Sequence, residues 1–326
     1  MTSTLAPSNG TNVRRYGAPR LRWGQWAAFV GARLRLGAAR LVAPEHAVAF
    51  AARLFATPPR HARPQREAEF LSTGSRFEVM VGFKRVAGWR FGRPDRPAIV
   101  ASHGWGGRGG QFRAFTPRLL EEGYQVVVFD HVGHGASDGD QSTLVHFIDG
   151  LDAVVRDIEA SGPRVAGLLG HSLGAAAVGG WLARSGRDIP AVLVAPPTSV
   201  IRYSQLFARH LGLGEPLRRA MQERLERWIG VRWADFELPG SVAHVKARAL
   251  VIHDAGDGEV AFSSGLALAR AWPDARLVRT EGLGHRQILR DPQVVQDTLD
   301  FIAGRVVFAR PPETGARAFG APAPLA

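Results

Sequence analysis

One serine stands among glycines and small apolar residues in the stretch GLLGHSLGAAA. The pattern predicts that Ser172 lies at a sharp turn between a buried strand and a helix, because Gly170 and Gly174 permit a strained turn and close helix packing. By alternation along the strand, His171 is expected to point away from the serine and to be a packing residue. Such a serine is a poor nucleophile unless a base removes its proton, so the hypothesis requires an acid and a histidine downstream.

Two later segments supply these partners at strand ends. In ALVIHDAGDGEV an apolar strand runs into a loop where Asp257, followed by glycine, can turn back toward the site; Asp254, at the strand end itself, is the alternative acid. We expect Glu259 to begin the next helix. In LVRTEGLGHRQIL a glycine-flanked loop carries His285 just ahead of a helical run. The order Ser172, Asp257, His285 supplies a nucleophile, an acid that orients the base, and the base.

A glycine-rich loop in SHGWGGRGGQF completes the candidate site. A serine-derived tetrahedral intermediate needs N–H donors aimed at its oxyanion, and Gly104 and its neighbouring glycines let the backbone face a cavity. We therefore predict the Trp105 and Leu173 amides as the donor pair, with His103 in a structural, supporting role. A lone GxSxG motif arises by chance in a glycine-rich chain, but an acid, a base and a donor loop that each follow a strand favour catalysis.

Alternating strands and helices must position these residues. Short apolar strands separated by helical segments predict a doubly wound, mostly parallel α/β sheet in a domain at 66–310. An amphipathic helical interval at about 197–245 is far longer than usual α/β connections, which predicts a cap over the site. Its large apolar side chains suggest an apolar lid: Tyr203, Leu206, Phe207, Leu211, Leu213 and Trp228.

The motifs and their order resemble those of the α/β-hydrolase superfamily, in its esterase- and lipase-like serine-hydrolase branch. HGWGG follows the third predicted strand, DHVGHGAS the fourth and HDAGD the seventh, while GHSLG forms the serine turn and GLGH precedes the last helix. The resemblance covers about 75–305. It implies Ser172 as nucleophile, His285 as base, Asp257 as acid, and the Trp105 and Leu173 amides as oxyanion donors.

The resemblance also implies a function. It implies cleavage of carboxylic esters through an acyl-serine intermediate, on a small-molecule substrate with an apolar acyl or alcohol part, without a cofactor or metal. Acyltransferases, lactonases and thioesterases use the same triad, whereas a non-catalytic binding protein on this fold would be expected to carry a broken one. His131 and His134 could suggest metal ligands, but the resemblance makes their loop structural, with Asp130 fixing the turn.

The N-terminal part is predicted as a helical extension at 21–65 that follows a flexible segment at 1–20. An apolar stripe with flanking arginines begins at Trp23, and APEHAVAFAARLF predicts a second helix that begins near Pro44 and stops before Pro58. Amphipathic stripes usually face a protein's own core, which favours a hairpin packed on the core. A helix on a membrane surface or over the mouth of the site is the alternative. Residues 311–326 lack periodicity and are predicted to be disordered.

Composition excludes several classes of function. The net charge is +12, but its arginines are scattered and no basic run interleaves with aromatic residues, so no nucleic-acid partner is expected. The chain has no cysteine, which excludes thiolate chemistry and disulfides. We find neither an export signal nor an apolar run of about 20 residues that could span a bilayer. These features predict a cytoplasmic protein; weak membrane-surface contact through the N-terminal helix is the alternative to its packing on the core.

Overall fold

The computed structural model describes residues 43–305 together with Gly31, Arg33 and Leu36. The predicted flexible segment at 1–20, most of the stripe that begins at Trp23, and the predicted tail at 311–326 lie outside the described residues. Membrane-surface contact through that stripe therefore stays a prediction. Among the helices described, none is both long and apolar enough to cross a membrane.

A single sheet occupies the centre of the fold. Its strands are β1 (Ser75–Val81), β2 (Lys84–Phe91), β3 (Ala98–Ser102), β4 (Gln125–Phe129), β5 (Val165–His171), β6 (Ala191–Val194), β7 (Ala249–Asp254) and β8 (Ala275–Thr280). They lie in the order β1-β2-β4-β3-β5-β6-β7-β8; β2 is antiparallel to β1 and β4, and all later pairs are parallel. Strands β3 to β7 are the short apolar runs that the sequence predicts. Because the central strands are buried on both faces, these runs are nearly continuous.

Helices follow most of the strands. They are α1 (Pro44–Ala56), α2 (Gln65–Ser72), α3 (Thr116–Glu121), α4 (Leu144–Ala160), α5 (Leu173–Ser185), α6 (Val200–Leu211), α7 (Glu215–Ile229), α8 (Leu238–Ser241), α9 (Phe262–Ala271), α10 (Gly284–Gln287) and α11 (Pro292–Ile302). Local signals set several ends. Asp291 caps α11 by accepting from the amides of Gln293 and Val294, and Gly212 ends α6 in the left-handed conformation.

Two apolar clusters hold the helices on opposite faces of the sheet. On one face α4 and α5 pack together and bury Phe147, Leu151 and Trp181. On the other face α3 and α11 bury Leu119 and Phe301. This arrangement confirms the predicted doubly wound sheet and brings the carboxyl ends of the parallel strands to one edge, where ligand sites of open α/β sheets lie.

The long interval between β6 and β7 forms the predicted helical insertion. Residues 200–241, here called the cap, comprise α6, α7, a short 3-10 helix at Trp233–Phe236, and α8. Gly212, at φ +69°, separates α6 from α7. The amphipathic stretch that is continuous in the sequence therefore forms two helices, α6 and α7. The second of them, α7, gives the cap a second side on which another element can pack.

The first described helix, α1, packs on that second side. Ala47 and Ala51 of α1 lie with Met221 and Leu225 of α7 in a third apolar cluster, separate from the two clusters of the sheet. The helix bounds were predicted correctly, and the apolar side of the helix is buried within the protein as expected, but in the cluster with the cap and not in the clusters of the sheet. Its apolar side contacts the cap, because α7 presents an apolar side of its own.

Helix α2 was not predicted. It follows the Pro/Arg linker directly, and Pro64 precedes its first residue in extended conformation. Leu71 joins the cluster on one face of the sheet, while Glu67 is buried and pairs with Arg108 at 3.1 Å. The signal for this helix in the sequence is the spacing of Glu67 and Leu71, which places both residues on one side of a helix, one turn apart.

Candidate active site

Ser172 lies at the turn between β5 and α5, in a strained backbone conformation. Its φ is +52° and its ψ is −123°, a combination that an L-residue rarely adopts. A Cβ on Gly170 would lie 2.5 Å from the Cα of Ala175, and one on Gly174 would lie 2.1 Å from the carbonyl oxygen of Ser102. Glycine is required at both positions, as predicted, because the turn passes directly against neighbouring backbone.

An aspartate and a histidine from two loops meet beside this turn. His285 Nδ1 lies 2.7 Å from Asp257 Oδ2, and both side chains are buried. Asp257 Oδ1 accepts from the amides of Glu259 at 2.8 Å and Val260 at 2.9 Å. Burial raises the pKa of Asp257, but its contacts with His253 and His285 outweigh burial and hold that pKa well below its ordinary value.

The ionised carboxylate fixes the tautomer of the histidine. An ionised carboxylate only accepts hydrogen bonds, so His285 Nδ1 carries the proton that is donated to Asp257. In the neutral ring the lone pair is then on Nε2. The pair can therefore accept a proton at Nε2, which is the property that a general base at this position requires.

Asp254, the alternative acid, has a different task. Its Oδ1 accepts from the amide of Gly256 at 2.9 Å, and its Oδ2 accepts from Thr280 Oγ1 at 2.9 Å and from the amide of Leu283 at 3.0 Å. These bonds tie the loop after β7 to the loop after β8. The structure thus joins His285 to Asp257 and uses Asp254 to hold the two loops together.

Glu259 does not begin a helix, contrary to expectation. Helix α9 begins at Phe262, and Glu259 lies in the loop before it, where its carboxylate pairs with Arg286 at 2.8 Å. The reason is Asp257, whose Oδ1 accepts from the Glu259 and Val260 amides and holds these residues in a turn.

The glycine loop after β3 lies directly against Ser172. A Cβ on Gly104 would lie 2.8 Å from the Cβ of Ser172, so this position also requires glycine. In the part of the chain that the structure describes, no hydrogen bond runs from the Trp105 or the Leu173 amide to another residue. Leu173 is the first residue of α5, where an amide has no partner within the helix. Both predicted donors remain available for an oxyanion.

Buried histidines support the glycine loop from behind. His103 Nδ1 donates to the carbonyl of Gly104 at 2.7 Å, and its Nε2 accepts from the amide of His131 at 3.0 Å. Both ring nitrogens are therefore used within the fold, which agrees with the predicted structural role. His131 stacks on Phe147 at 3.8 Å between ring centroids. Asp130 fixes the turn as expected, since its carboxylate accepts from the amides of Gly109 and Ala136, each at 2.8 Å.

These histidines predict that the fold is sensitive to acid. Burial lowers the pKa of His103 to about 4 and that of His134 to about 3, and it holds the pKa of His131 well below its ordinary value. Below the ordinary value of 6.5 the unfolded chain binds protons that the folded chain does not. The contribution of these histidines to the free energy of unfolding is therefore fully present at a pH above 6.5. At a lower pH the free energy of unfolding decreases, by up to about 1.4 kcal/mol per pH unit for each histidine. We expect the urea concentration at the unfolding midpoint to decrease when the pH is lowered from about 7.5 to about 5. An unchanged midpoint would contradict this account.

His171 was predicted only to pack, and the structure corrects this. Its Nε2 lies 2.9 Å from the carbonyl oxygen of His285, to which it donates, and the two rings are 4.8 Å apart. Burial lowers the pKa of His171 to about 3, so the ring is neutral. His171 thus holds the backbone of the residue that pairs with Asp257. Alternation along β5 carries no signal for this contact, because it depends on a loop more than a hundred residues later.

Two cavities meet at Ser172. The apolar cavity, of about 220 Å³, extends under the cap, and the polar cavity, of about 270 Å³, extends past His285. Ser172, Trp105 and Tyr203 line both. Characteristic residues of the apolar cavity are Leu54, Phe55, Val145, Val200, Phe207 and Trp233. Those of the polar cavity are Glu67, Arg113, Glu259, His285, Arg286 and Arg290.

The predicted apolar lid is only partly realised. Tyr203 and Phe207 line the apolar cavity, but Leu211 and Leu213 lie in the cluster with α1, and Trp228 is 46% exposed beside His146. Leu206 does not line either cavity. Leu54 and Phe55 of α1 also line the apolar cavity, together with the residues of the cap. Of the N-terminal helices, α1 therefore contributes to the wall of the apolar cavity.

Comparisons with known proteins agree with this fold. Residues 93–239 match the family model described as serine aminopeptidase, S33; the match includes Ser172 and ends before Asp257. An esterase structure from Pyrococcus furiosus is 19% identical with a TM-score of 0.58, over 77% of this chain and 97% of that one. At that identity the similarity shows the fold.

Two curated relatives each match less than half of the chain. Human monoglyceride lipase is 29% identical over 39% of this chain and 46% of its own length. The bifunctional esterase/perhydrolase of Acinetobacter calcoaceticus is 34% identical over 34% of this chain and 41% of its own length. The chain thus spans less than half the length of these relatives.

Proposed function

Because this chain belongs to the α/β-hydrolase superfamily, we propose that it is a serine hydrolase that cleaves carboxylic esters through an acyl-serine intermediate. The observation that carries the proposal is the hydrogen bond between Asp257 and His285, together with the cavity that both His285 and Ser172 line. The names of the relatives, a monoglyceride lipase and an esterase among them, support ester substrates.

The first half of the reaction acylates Ser172. As the serine oxygen attacks the ester carbonyl carbon, its proton passes to His285 Nε2, and the carbonyl oxygen becomes an oxyanion that accepts from the Trp105 and Leu173 amides. The carbon–oxygen bond to the alcohol then breaks, and His285 gives its proton to the departing alkoxide. Asp257 stabilises the histidine cation throughout.

The second half hydrolyses the acyl-serine. Water gives a proton to His285 Nε2 and attacks the acyl carbon, the same amides hold the oxyanion, and the proton returns to the Ser172 oxygen as the acid leaves. An acyltransferase, lactonase or thioesterase would use the same residues with a different acceptor or substrate. Water as the acceptor is our first choice, because the names lipase and esterase describe hydrolysis; the second relative is also named a perhydrolase, an activity in which peroxide is the acceptor.

The apolar cavity supports an aliphatic or aromatic acyl part. It is built from side chains such as Phe55, Val145 and Phe207, without a charged residue among those that line it. Each methylene group that such a cavity buries stabilises the complex by about 0.8 kcal/mol. Longer acyl chains are therefore expected to react better until the cavity of about 220 Å³ is full.

A panel of p-nitrophenyl esters of increasing acyl length tests this function. We expect kcat/KM to rise several-fold per methylene, by about fourfold for about 0.8 kcal/mol, and then to fall once the chain exceeds the cavity. Val145→Phe should shift the optimum to shorter chains while turnover of the acetate is retained, which is the internal control for folding. An amino-acid p-nitroanilide tests the peptidase chemistry in the family description. A folded wild type that cleaves no ester would contradict the proposal.

A further inference from the structure

The two cavities give the bound ester a direction. This inference rests on the proposed function, in which His285 returns its proton to the departing alcohol. Among the residues that the structure describes, His285 lines the polar cavity and not the apolar one. The alcohol part of the ester must therefore leave through the polar cavity, and the acyl part must occupy the apolar cavity. Ser172, which lines both, lies where the two parts join.

The polar cavity carries positive charge that no carboxylate within residues 43–305 neutralises by an ion pair. Of the charged side chains that line it, Arg286 pairs with Glu259 at 2.8 Å, and Glu67 pairs with Arg108 at 3.1 Å in a nearly buried bridge. The two remaining charges belong to arginines. Within residues 43–305, neither Arg113 nor Arg290 forms an ion pair with a carboxylate or a hydrogen bond to a protein acceptor.

These two arginines lie on neighbouring elements. Arg113 is in the 3-10 helix Gly109–Ala114 and Arg290 ends the 3-10 helix Ile288–Arg290, and these two helices contact each other. Partial burial, together with the charges of Arg290 and Arg66, lowers the pKa of Arg113 and outweighs the opposite effect of the Glu67 carboxylate. Like charges held together at a cavity wall are unfavourable unless an anion joins them, and guanidinium groups bind carboxylate and phosphate oxygens well.

A second polar group in the same cavity also lacks a partner. Gln111 lines the polar cavity, and its Oε1 is buried without a hydrogen-bond partner among the described residues. A buried amide oxygen left without a donor costs free energy, which a ligand hydroxyl can recover. Gln111 and Arg113 lie in one 3-10 helix, Arg290 lies in the 3-10 helix that contacts it, and all three residues line the polar cavity.

We propose that the polar cavity binds an anionic group, a carboxylate or a phosphate, on the alcohol part of the ester, with Arg113 and Arg290 as its cationic ligands. Gln111 accepts from a hydroxyl of the same alcohol part. The preferred substrate is then an ester that joins an apolar acyl group to a hydroxylated, anionic alcohol.

Esters that share one acyl group and differ in ring charge test the proposal. The probes are p-nitrophenyl hexanoate analogues with either a carboxylate or a neutral carboxamide on the ring. We expect the wild type to prefer the carboxylate by about tenfold or more in kcat/KM, which corresponds to about 1.4 kcal/mol. The double variant Arg113→Gln/Arg290→Gln should lower this ratio to about one, and added salt should lower it in the wild type. Arg118→Gln is the matched control, since Arg118 lies on the exposed side of α3, paired with Glu121.

A second pair of substrates distinguishes the two anions. Release of fatty acid from a monoacylglycerol is compared with release from the same acylglycerol that carries a phosphate. Faster cleavage of the carboxylic ester in the substrate that carries a phosphate, or in the one that carries a carboxylate, supports the inference if the double variant loses the preference. The preferred substrate identifies the anion. Equal cleavage of neutral and anionic esters, or a preference that survives the double substitution, overturns it while leaving the proposed function intact. If no ester of any charge is cleaved, the proposed function itself fails, and this inference fails with it.

Discussion

Replacing Asp257 by asparagine is expected to lower kcat for ester hydrolysis by about 10⁴-fold while KM changes little. The carboxylate holds the proton of His285 on Nδ1 through a bond of 2.7 Å, and asparagine offers an N–H at that position as readily as an oxygen. With its Nδ1 as acceptor, the ring would carry its proton on Nε2 and could no longer take one from Ser172. The cation that forms during the reaction would also lose its counterion.

Two other carboxylates make this prediction specific. Asp274→Asn changes an exposed carboxylate outside the site and should leave kcat unchanged. Asp254→Asn should lower the thermal midpoint, because Asp254 accepts from Thr280 and from the amide of Leu283. If Asp257→Asn retained activity while Asp254→Asn lost it at equal stability, the acid of the site would be Asp254.

Ser172→Ala is expected to have the largest effect, a loss of about 10⁶-fold in kcat. The alanine lacks the oxygen that attacks the ester, and the residues that prepare the reaction have no other nucleophile to act on. Binding should survive, because the apolar cavity is unchanged. A normal unfolding midpoint together with lost turnover separates loss of chemistry from loss of fold.

The local signals were strong enough to predict the elements that carry the site. The sequence predicts Ser172 as the nucleophile because Gly170 and Gly174 precede and follow it within a single strand-to-helix turn. His285 and Asp257 could be added because parallel strands place their carboxyl ends at one edge of the sheet. The choice of Asp257 over Asp254 followed from its place in the loop, beyond the strand end.

Features that depend on packing between distant segments could not be predicted in the same way. The pattern of its own helix predicts Leu211 as a lid residue. In the structure Leu211 packs with α1, because the apolar side of α1 lies nearby. The bond from His171 to the backbone of His285 arises only because two distant segments meet, and so does the placement of Arg113 beside Arg290, two arginines that have no ion-pair partner within residues 43–305. Periodicity within one element carries no information about such contacts.

Covalent labelling of the nucleophile tests the central claim most directly. A fluorophosphonate forms a stable adduct only with an activated serine, so intact mass and peptide mapping report the reactive residue without assuming a substrate. We predict one adduct on the wild type, located at Ser172, and no adduct on folded Ser172→Ala. An unlabelled wild type with a normal unfolding midpoint, or an adduct that persists in Ser172→Ala, would contradict the assignment of Ser172 as the nucleophile.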